Sequence, residues 1–542
     1  MRKDRNSNVA FSICMIAILL FTIASRFMGL TYNLSIHPDE SEFYNGSKSL
    51  ARSILDPDVP FVEEKEYPEG AYVLQMPFQI IKELIGSSHW FWRSAQCWSR
   101  ISSVFYFALA VIYGVLILTK FMSRSKTAAI LYALTMCFSL FFIEHSRYGV
   151  GDMSSLWLLM AIIYHSAQAF HTRKRRHLVS AFFCAGVMGA VKYPQLFFLT
   201  IPLGTWLSMG GKNKKRAGGV LVFLLIAFAG LMMFSPKAAV DPAYFLRVLD
   251  REGKAYVTEG TGFNSGGLIN NVIGTVLYTL LYSDFPLSFL FVAGYFYKAI
   301  TSRVVEGETD LFFHKLLPVI TVLFFAYNLF AKLLVFRTFT PFFGLTALYA
   351  SEAAGKLCHC SNQKGNKVGR AVVLALTCLM VVRGGWLLAI TGHQGDDKDR
   401  FTPIFEEAVD DHWNQATLFV PYNIASEYSF EENMVCPQEL SIKEMDVAVY
   451  RGENNGLTIQ PGELIVTGSY EHGLNAPYFV SYAKSLTTSD DAAWEAFKQA
   501  NEDYYVGQIY PDYYYYLFGG WIRGGTLSTF LMPCNMVYYR SA

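Results

Sequence analysis

An acid pair stands directly after the first long apolar run of this 542-residue chain, in the segment His37-Pro38-Asp39-Glu40. Adjacent carboxylates at the mouth of a membrane span are costly beside lipid and tend to be paired or functional. Three cations are placed just as unusually. Arg147 lies in the turn Glu144-His145-Ser146-Arg147-Tyr148-Gly149-Val150-Gly151-Asp152, Lys192 in Lys192-Tyr193-Pro194, and Arg337 at the start of a later apolar run. Gathered on one face with Asp39 beside them, they make a positive pocket that suits a phosphate or pyrophosphate leaving group. Each has a plainer reading as well. Pro38 and the acids suit a helix N-terminus that opens an amphipathic helix over SEFYNGSKSLARSIL; 144–152 reads equally as an interfacial turn, and Lys192 as a snorkelling lysine.

The elements that must position these residues are apolar helices. Hydrophobic residues make up 52% of the chain and charged residues 16%, against about 25% charged in a soluble domain. The mean hydropathy is +0.26. Such a composition excludes a soluble enzyme of this length, a disordered or collagen-like chain and a small disulfide scaffold. Apolar stretches fall at Val9–Leu30 and near 101–119, 127–143, 153–170, 178–191, 195–210, 217–235, 286–300, 316–331, 338–355 and 371–390. The expected fold is a polytopic α-helical membrane protein of about eleven spans. The first run has no small-residue cleavage site after it and reads as a retained anchor.

Charge gives orientation. Every second loop is basic, including Arg2/Lys3/Arg5, Lys120/Arg124/Lys126, Arg173–Arg176 and Lys212–Arg216, which places these loops and the N-terminus in the cytoplasm. The loops at 31–100, 144–152, 192–194, 236–285 and 332–337 then lie outside, with an interfacial helix expected in LINNVIGTVLYTLLYSDF (268–285). The net charge of +1 divides sharply: Thr391–Ala542 holds 22 acids and 8 bases, and the residues before it hold 22 acids and 37 bases. We read 1–391 as the transmembrane module and 392–542 as a soluble extracytoplasmic α/β domain, with strand-like runs such as ATLFVPY and ELIVTGSY. The basic clusters are short and sit at span ends, so no nucleic-acid partner is expected. Cys358 and Cys360 flank His359, too few ligands for zinc; Cys436 and Cys534 form the one cysteine pair of the outer domain, bonded or free.

Five segments carry a resemblance to a known family: HPDESEFYNGSKSL, YPEGAYVLQMPF (67–78), EHSRYGVGDMSSLWLL (144–159), KYP (192–194) and FRTFTPFFGL (336–345). Their order resembles that of the GT-C membrane glycosyltransferases, closest to the protein O-mannosyltransferase and lipid A aminoarabinose transferase group. The resemblance implies transfer of a sugar from a polyprenyl-phosphate carrier to an acceptor hydroxyl of a lipid, glycan or protein, outside the plasma (inner) membrane. It implies Asp39 as general base, with Glu40 positioning it or helping in binding. Arg147, Lys192 and Arg337 would hold the donor phosphate, and His37, Tyr67, Asp152 and Tyr193 are further substrate-binding candidates. Attack opposite the phosphate would invert the anomeric centre. No metal or other cofactor is expected where cations neutralise the phosphate, and no D-x-D pattern follows the first span. The chain departs from its relatives at Tyr67-Pro68-Glu69, where some relatives place a phosphate-binding lysine before the proline; Lys65 is the available substitute.

Two other functions share parts of this pattern. A polysaccharide polymerase or ligase using a pyrophosphate-linked glycan shares the topology. A secondary transporter would need ionisable residues at mid-span and an internal repeat, and apart from Arg383 the spans hold almost none. The Tyr-rich EDYYVGQIYPDYYYYLFGGW of the tail reads as an ordinary packed edge or, alternatively, as a sugar-stacking surface.

Overall fold

The structure, a computed structural model, describes residues 2–27, 30, 40–61, 67–86, 94–122, 124–209, 213–254, 272, 312–330, 336–358 and 363–393, together with five strands beyond them. The chain divides into two compact units, Met1–Met28 with Asp39–Ala389, and Gly29–Pro38 with Ile390–Ala542. His37, Pro38, Asp39 and Lys65, the expected interfacial helix at 268–285, the run at 286–300, Cys360 and Cys436 lie outside the described residues.

The first unit is helical. Its elements are α1 (Arg2–Phe27), α2 (Glu40–Leu55), α3 (Gly70–Ile85), α4 (Ala95–Ile117), α5 (Lys126–Phe138), α6 (Leu140–His145), α7 (Asp152–Thr172) and α8 (Arg175–Val191). After a 3₁₀ segment at Tyr193–Leu199 come α9 (Thr200–Ser208), α10 (Asn213–Met233), α11 (Pro236–Val240), α12 (Pro242–Lys254), α13 (Leu317–Leu329), α14 (Thr340–Leu357) and α15 (Gln363–His393). Three of them are long and apolar enough to cross a membrane, over Asn8–Phe27, Ala95–Met122 and Lys367–Gly385. Large apolar side chains such as Ile13, Leu20, Leu221, Phe228 and Leu374 stand exposed on these and on α10, a surface that only lipid makes tolerable. The chain is an integral membrane protein.

Side-chain caps and small residues explain the packing. Ser94 accepts from the Cys97 N–H at 3.3 Å and Ser125 from Ala128 at 3.2 Å, fixing the starts of α4 and α5. The central helices α4, α7, α8 and α10 pack in that order. The α8–α10 crossing is close because Gly186 has no side chain: a Cβ there would lie 1.9 Å from the Ala227 carbonyl oxygen.

Two expected spans are broken. The run 127–143 is interrupted at Ser139, whose backbone is extended, and 195–210 begins as a 3₁₀ segment before α9. The break at Ser139 strips the last carbonyls of α5 of their helical partners. Arg26, fully buried at the end of α1, supplies them: it donates to the Met136 and Cys137 carbonyls at 3.2 and 2.7 Å, to Ser146 Oγ at 2.9 Å and to Ser25 Oγ at 3.0 Å. Only 11% of the apolar window of α1 is buried, so this guanidinium is the main polar clasp on a helix otherwise left to lipid.

In the second unit the strands β1 (Thr417–Pro421), β2 (Asp446–Tyr450), β3 (Leu464–Ser469), β4 (Tyr504–Gln508) and β5 (Cys534–Arg540) form one mixed sheet of order β2-β1-β3-β5-β4. β1 pairs parallel with β2 and β3, while β5 pairs antiparallel with β3 and β4.

Replacing Arg26 by leucine leaves buried carbonyls without donors, and each such group costs about 1–3 kcal/mol. The Arg26→Leu protein in detergent should therefore be less stable by about 3 kcal/mol; an unchanged unfolding midpoint would show that the clasp does not hold α1.

Candidate active site

Glu40 opens α2, where an acid in the first turn complements the helix dipole. Its side chain is fully buried against Arg100 of α4 in a two-pronged ion pair, Nε to Oε1 at 2.8 Å and Nη2 to Oε2 at 2.9 Å. The Gly149 N–H donates to the same Oε1 at 2.6 Å. A Cβ at Gly149 would sit 2.7 Å from Ser99 Cβ and 3.0 Å from Glu40 Oε1, so no other residue fits this close approach without displacement. Gln75 Nε2 grips the Gly149 carbonyl at 2.9 Å, and Ser103 Oγ the Tyr148 carbonyl at 2.6 Å. One carboxylate thus ties α2, α4 and the 146–151 turn together. The Glu40 side chain is sealed from solvent.

Lys192 and Arg337 meet elsewhere, in a cleft whose empty space, counted out to the open solvent, is about 820 Å³. Both stand where the backbone is not α-helical. Lys192 ends α8 in extended backbone ahead of Pro194, and Arg337 sits in a 3₁₀ turn before Pro341 starts α14. Tyr67, Tyr193, Phe43, Gln195, Tyr327 and Asn328 complete much of the wall. Asp152, the first residue of α7, is buried behind it and accepts a hydrogen bond and ion pair from Lys192 Nζ on Oδ1. Its other oxygen, Oδ2, has no hydrogen-bond partner among the described residues. Burial pushes the Asp152 carboxyl up, but Lys192, Arg337 and the Lys192 hydrogen bond outweigh it and hold the group below the ordinary carboxylate range. The cleft wall therefore holds a carboxylate already charged.

Arg147, expected at the same pocket, is not among the residues that line it. Its guanidinium is buried and donates to the Ser25 carbonyl at 3.1 Å, reinforcing the end of α1. Of the ten residues singled out from the sequence, Tyr67, Lys192, Tyr193 and Arg337 line the cleft and Asp152 backs it. Glu69 turns away from the cleft wall: its Oε2 accepts from the Lys237 and Ala238 N–H groups at 2.9 and 3.2 Å, capping α11.

Arg100 and His145 were not singled out. Arg100 lies in the second turn of α4, and a partner for one of two adjacent acids was the signal that could have found it. His145 is buried against the Phe141 ring, centroids 4.3 Å apart. Burial is the main cause that lowers its pKa to about 3; Asp152 opposes this, while Arg337 and Lys192 add to it. Among the described residues no group of three or more His, Cys, Asp and Glu side chains could hold a metal ion.

No protein-family model matches the sequence, and no curated protein matches it. Solved structures do. The oligosaccharyltransferase of Archaeoglobus fulgidus in its apo form aligns over 90% of this chain and 72% of its own at a TM-score of 0.51 and 11% identity. ArnT from Cupriavidus metallidurans, bound to undecaprenyl phosphate, aligns over 97% of this chain and 98% of its own at a TM-score of 0.49 and 13% identity. The arabinofuranosyltransferase AftD from mycobacteria aligns over 76% of this chain and 29% of its own, with a TM-score of 0.42 and 16% identity. The fold is that of the GT-C glycosyltransferases. At such identities the likeness is one of fold, and what the cleft does must come from its own residues.

A neutral buried His145 has a consequence for stability. The unfolded chain protonates this residue near its ordinary value of about 6.5, the folded protein only near 3. Between those values the unfolded state binds the extra proton, so folding loses stability as pH falls through that window. Between about pH 7 and 5, above the range where Asp152 titrates, His145→Gln should lessen the fall in unfolding temperature on acidification. A slope equal to that of the parent protein would refute the assignment.

Proposed function

We propose that the chain is a membrane glycosyltransferase that moves a sugar from a polyprenyl-phosphate carrier to an acceptor hydroxyl. The observation that carries this is the convergence of Lys192, at the end of α8, and Arg337, in the 3₁₀ turn before α14, on one cleft backed by buried Asp152. Such paired cations suit a phosphate that must leave with its charge stabilised. The GT-C fold supports the reading.

In the reaction we propose, Asp39 takes the proton of the acceptor hydroxyl as its oxygen attacks the anomeric carbon. The bond from that carbon to the carrier phosphate breaks, its electron pair leaves with the phosphate, and the configuration inverts. Asp39 precedes Glu40 in the chain, and the Arg100 pair fixes Glu40 at the start of α2. Lys192 and Arg337 neutralise the departing phosphate, so no metal or other cofactor is required. We further propose that about eleven spans carry the site in the inner membrane, facing outward with the N-terminus in the cytoplasm, and that residues 392–542 form an extracytoplasmic α/β domain.

Asp39→Asn should lower kcat by a hundredfold or more, the scale of a lost general base, and change donor KM little. Lys192→Ala and Arg337→Ala should each reduce kcat/KM for the donor by roughly 10- to 100-fold, the worth of a charged hydrogen bond. EDTA should leave the rate unaltered. Transfer assayed in membranes with a labelled polyprenyl-phosphate sugar decides: near-normal turnover by the Asp39→Asn protein would sink the assignment of the base. Turnover only with a pyrophosphate-linked glycan would favour a polymerase or ligase.

A further inference from the structure

The segment that follows α10 is an amphipathic helix with an apolar surface the cleft does not use. The exposed apolar side of α10 runs through Leu225, Phe228 and Met233, and α11 and α12 follow within a few residues. α12 therefore starts nine residues after Met233 ends α10. Around α12, Tyr244 and Val248 are fully buried on the protein side. Leu249 and Leu246 come next around the circumference, 43% and 63% exposed, and Val240 at the end of α11 is 83% exposed. The remaining arc is charged. Asp250 pairs with Lys254 at 2.6 Å and Asp241 with Arg247 at 3.5 Å. Three arcs on one short helix, facing protein, apolar space and water, are the pattern of a helix lying in a membrane interface.

We propose that α12 lies in the interface of the leaflet on the cleft side, with Leu246 and Leu249 among the acyl chains. The occupant of its exposed apolar arc is phospholipid, because α10, the apolar helix just before it in the chain, leaves Leu225, Phe228 and Met233 exposed in the same way. The sequence had suggested an interfacial helix later, at 268–285. The inner arc of α12 meets the walls of the cleft: Tyr244 Oη donates to the Tyr67 carbonyl at 2.8 Å, and Phe245 packs on the Tyr193 ring at 5.0 Å between centroids. Tyr67 and Tyr193 both line the cleft. Docking α12 on the leaflet fixes that wall at headgroup depth, which suits a substrate borne by lipid. That last step rests on the function proposed above; the docking does not.

The test is photocrosslinking of the full chain in phosphatidylcholine nanodiscs, with benzoylphenylalanine placed singly at 246, 249, 250 and 225. Position 225 on α10 is the lipid control, and monodisperse elution with lipid adducts there shows that the protein is folded. Lipid adducts by mass spectrometry at 246 and 249, at least fivefold above position 250, are expected. Adducts at 225 with none at 246 and 249, or crosslinks from those two positions to protein instead of lipid, overturn the docking. The readout needs no transfer activity, so it stands apart from failure of the Asp39 variant.

Discussion

The architecture around the cleft depends on one buried ion pair. Glu40 and Arg100 are both sealed from solvent, and an uncompensated charge there would cost several kcal/mol. The pair is tolerable only because its geometry is complete: two parallel hydrogen bonds between the partners, and a third from the Gly149 N–H. That completeness makes it directional. Shifting α2, α4 or the 146–151 turn by an ångström would leave a donor or acceptor unsatisfied. The pair thus fixes where α2 begins and where the turn leading into α7 lies, and Asp152 starts α7.

The same logic of satisfied polar groups explains why the chemistry gathers at interruptions. An unbroken apolar helix satisfies its own backbone and leaves its side chains facing lipid or neighbouring helices. At Ser139, Lys192 and Phe336–Phe339 the backbone departs from the α-helix. Each departure frees polar groups or turns a side chain out of its helical direction. At Ser139 the freed carbonyls are taken up by Arg26 and the break is structural. At the other two the redirected side chains are cations that line a cleft. One device serves for anchoring in one place and for ligand binding in the other.

Much of this was legible in the sequence. Apolar run length and the low charge content announced membrane helices, and α2 falls where Pro38, the acids after it and the following amphipathic stretch placed it. Lys192 and Arg337 stood out because each is a lone cation between apolar runs on the expected outer side, and both line the cleft. Arg147 showed the same sequence signal and yet points to α1. Nothing local separates a cation that faces a cleft from one that clasps a carbonyl; the difference is made by which helix packs above it. Arg100 and Glu69 escaped for a related reason, since their partners lie 60 and 168 residues away in the chain. The break at Ser139 was invisible because serine is accepted inside membrane helices, and only the distant Arg26 makes the interruption affordable.

The electrostatics of the cleft bear on how the proposed reaction would be driven. Lys192 and Arg337 bring two positive charges; Asp152, held ionised by them, removes one, and His145 stays neutral. The resting wall is therefore only mildly positive. A carrier-linked sugar is a phosphodiester with a single negative charge, whereas the departing carrier phosphate gains a second as the sugar–oxygen bond breaks. A site whose positive charge is partly offset in the ground state binds the substrate less tightly than two bare cations would. It gains most where charge is developing, which is the requirement for raising kcat and not merely lowering KM. Asp152 then limits how strongly the cleft holds its substrate before reaction and its phosphate product afterwards. On this reading the buried carboxylate, which contributes nothing directly to phosphate binding, sets the balance between capture and release.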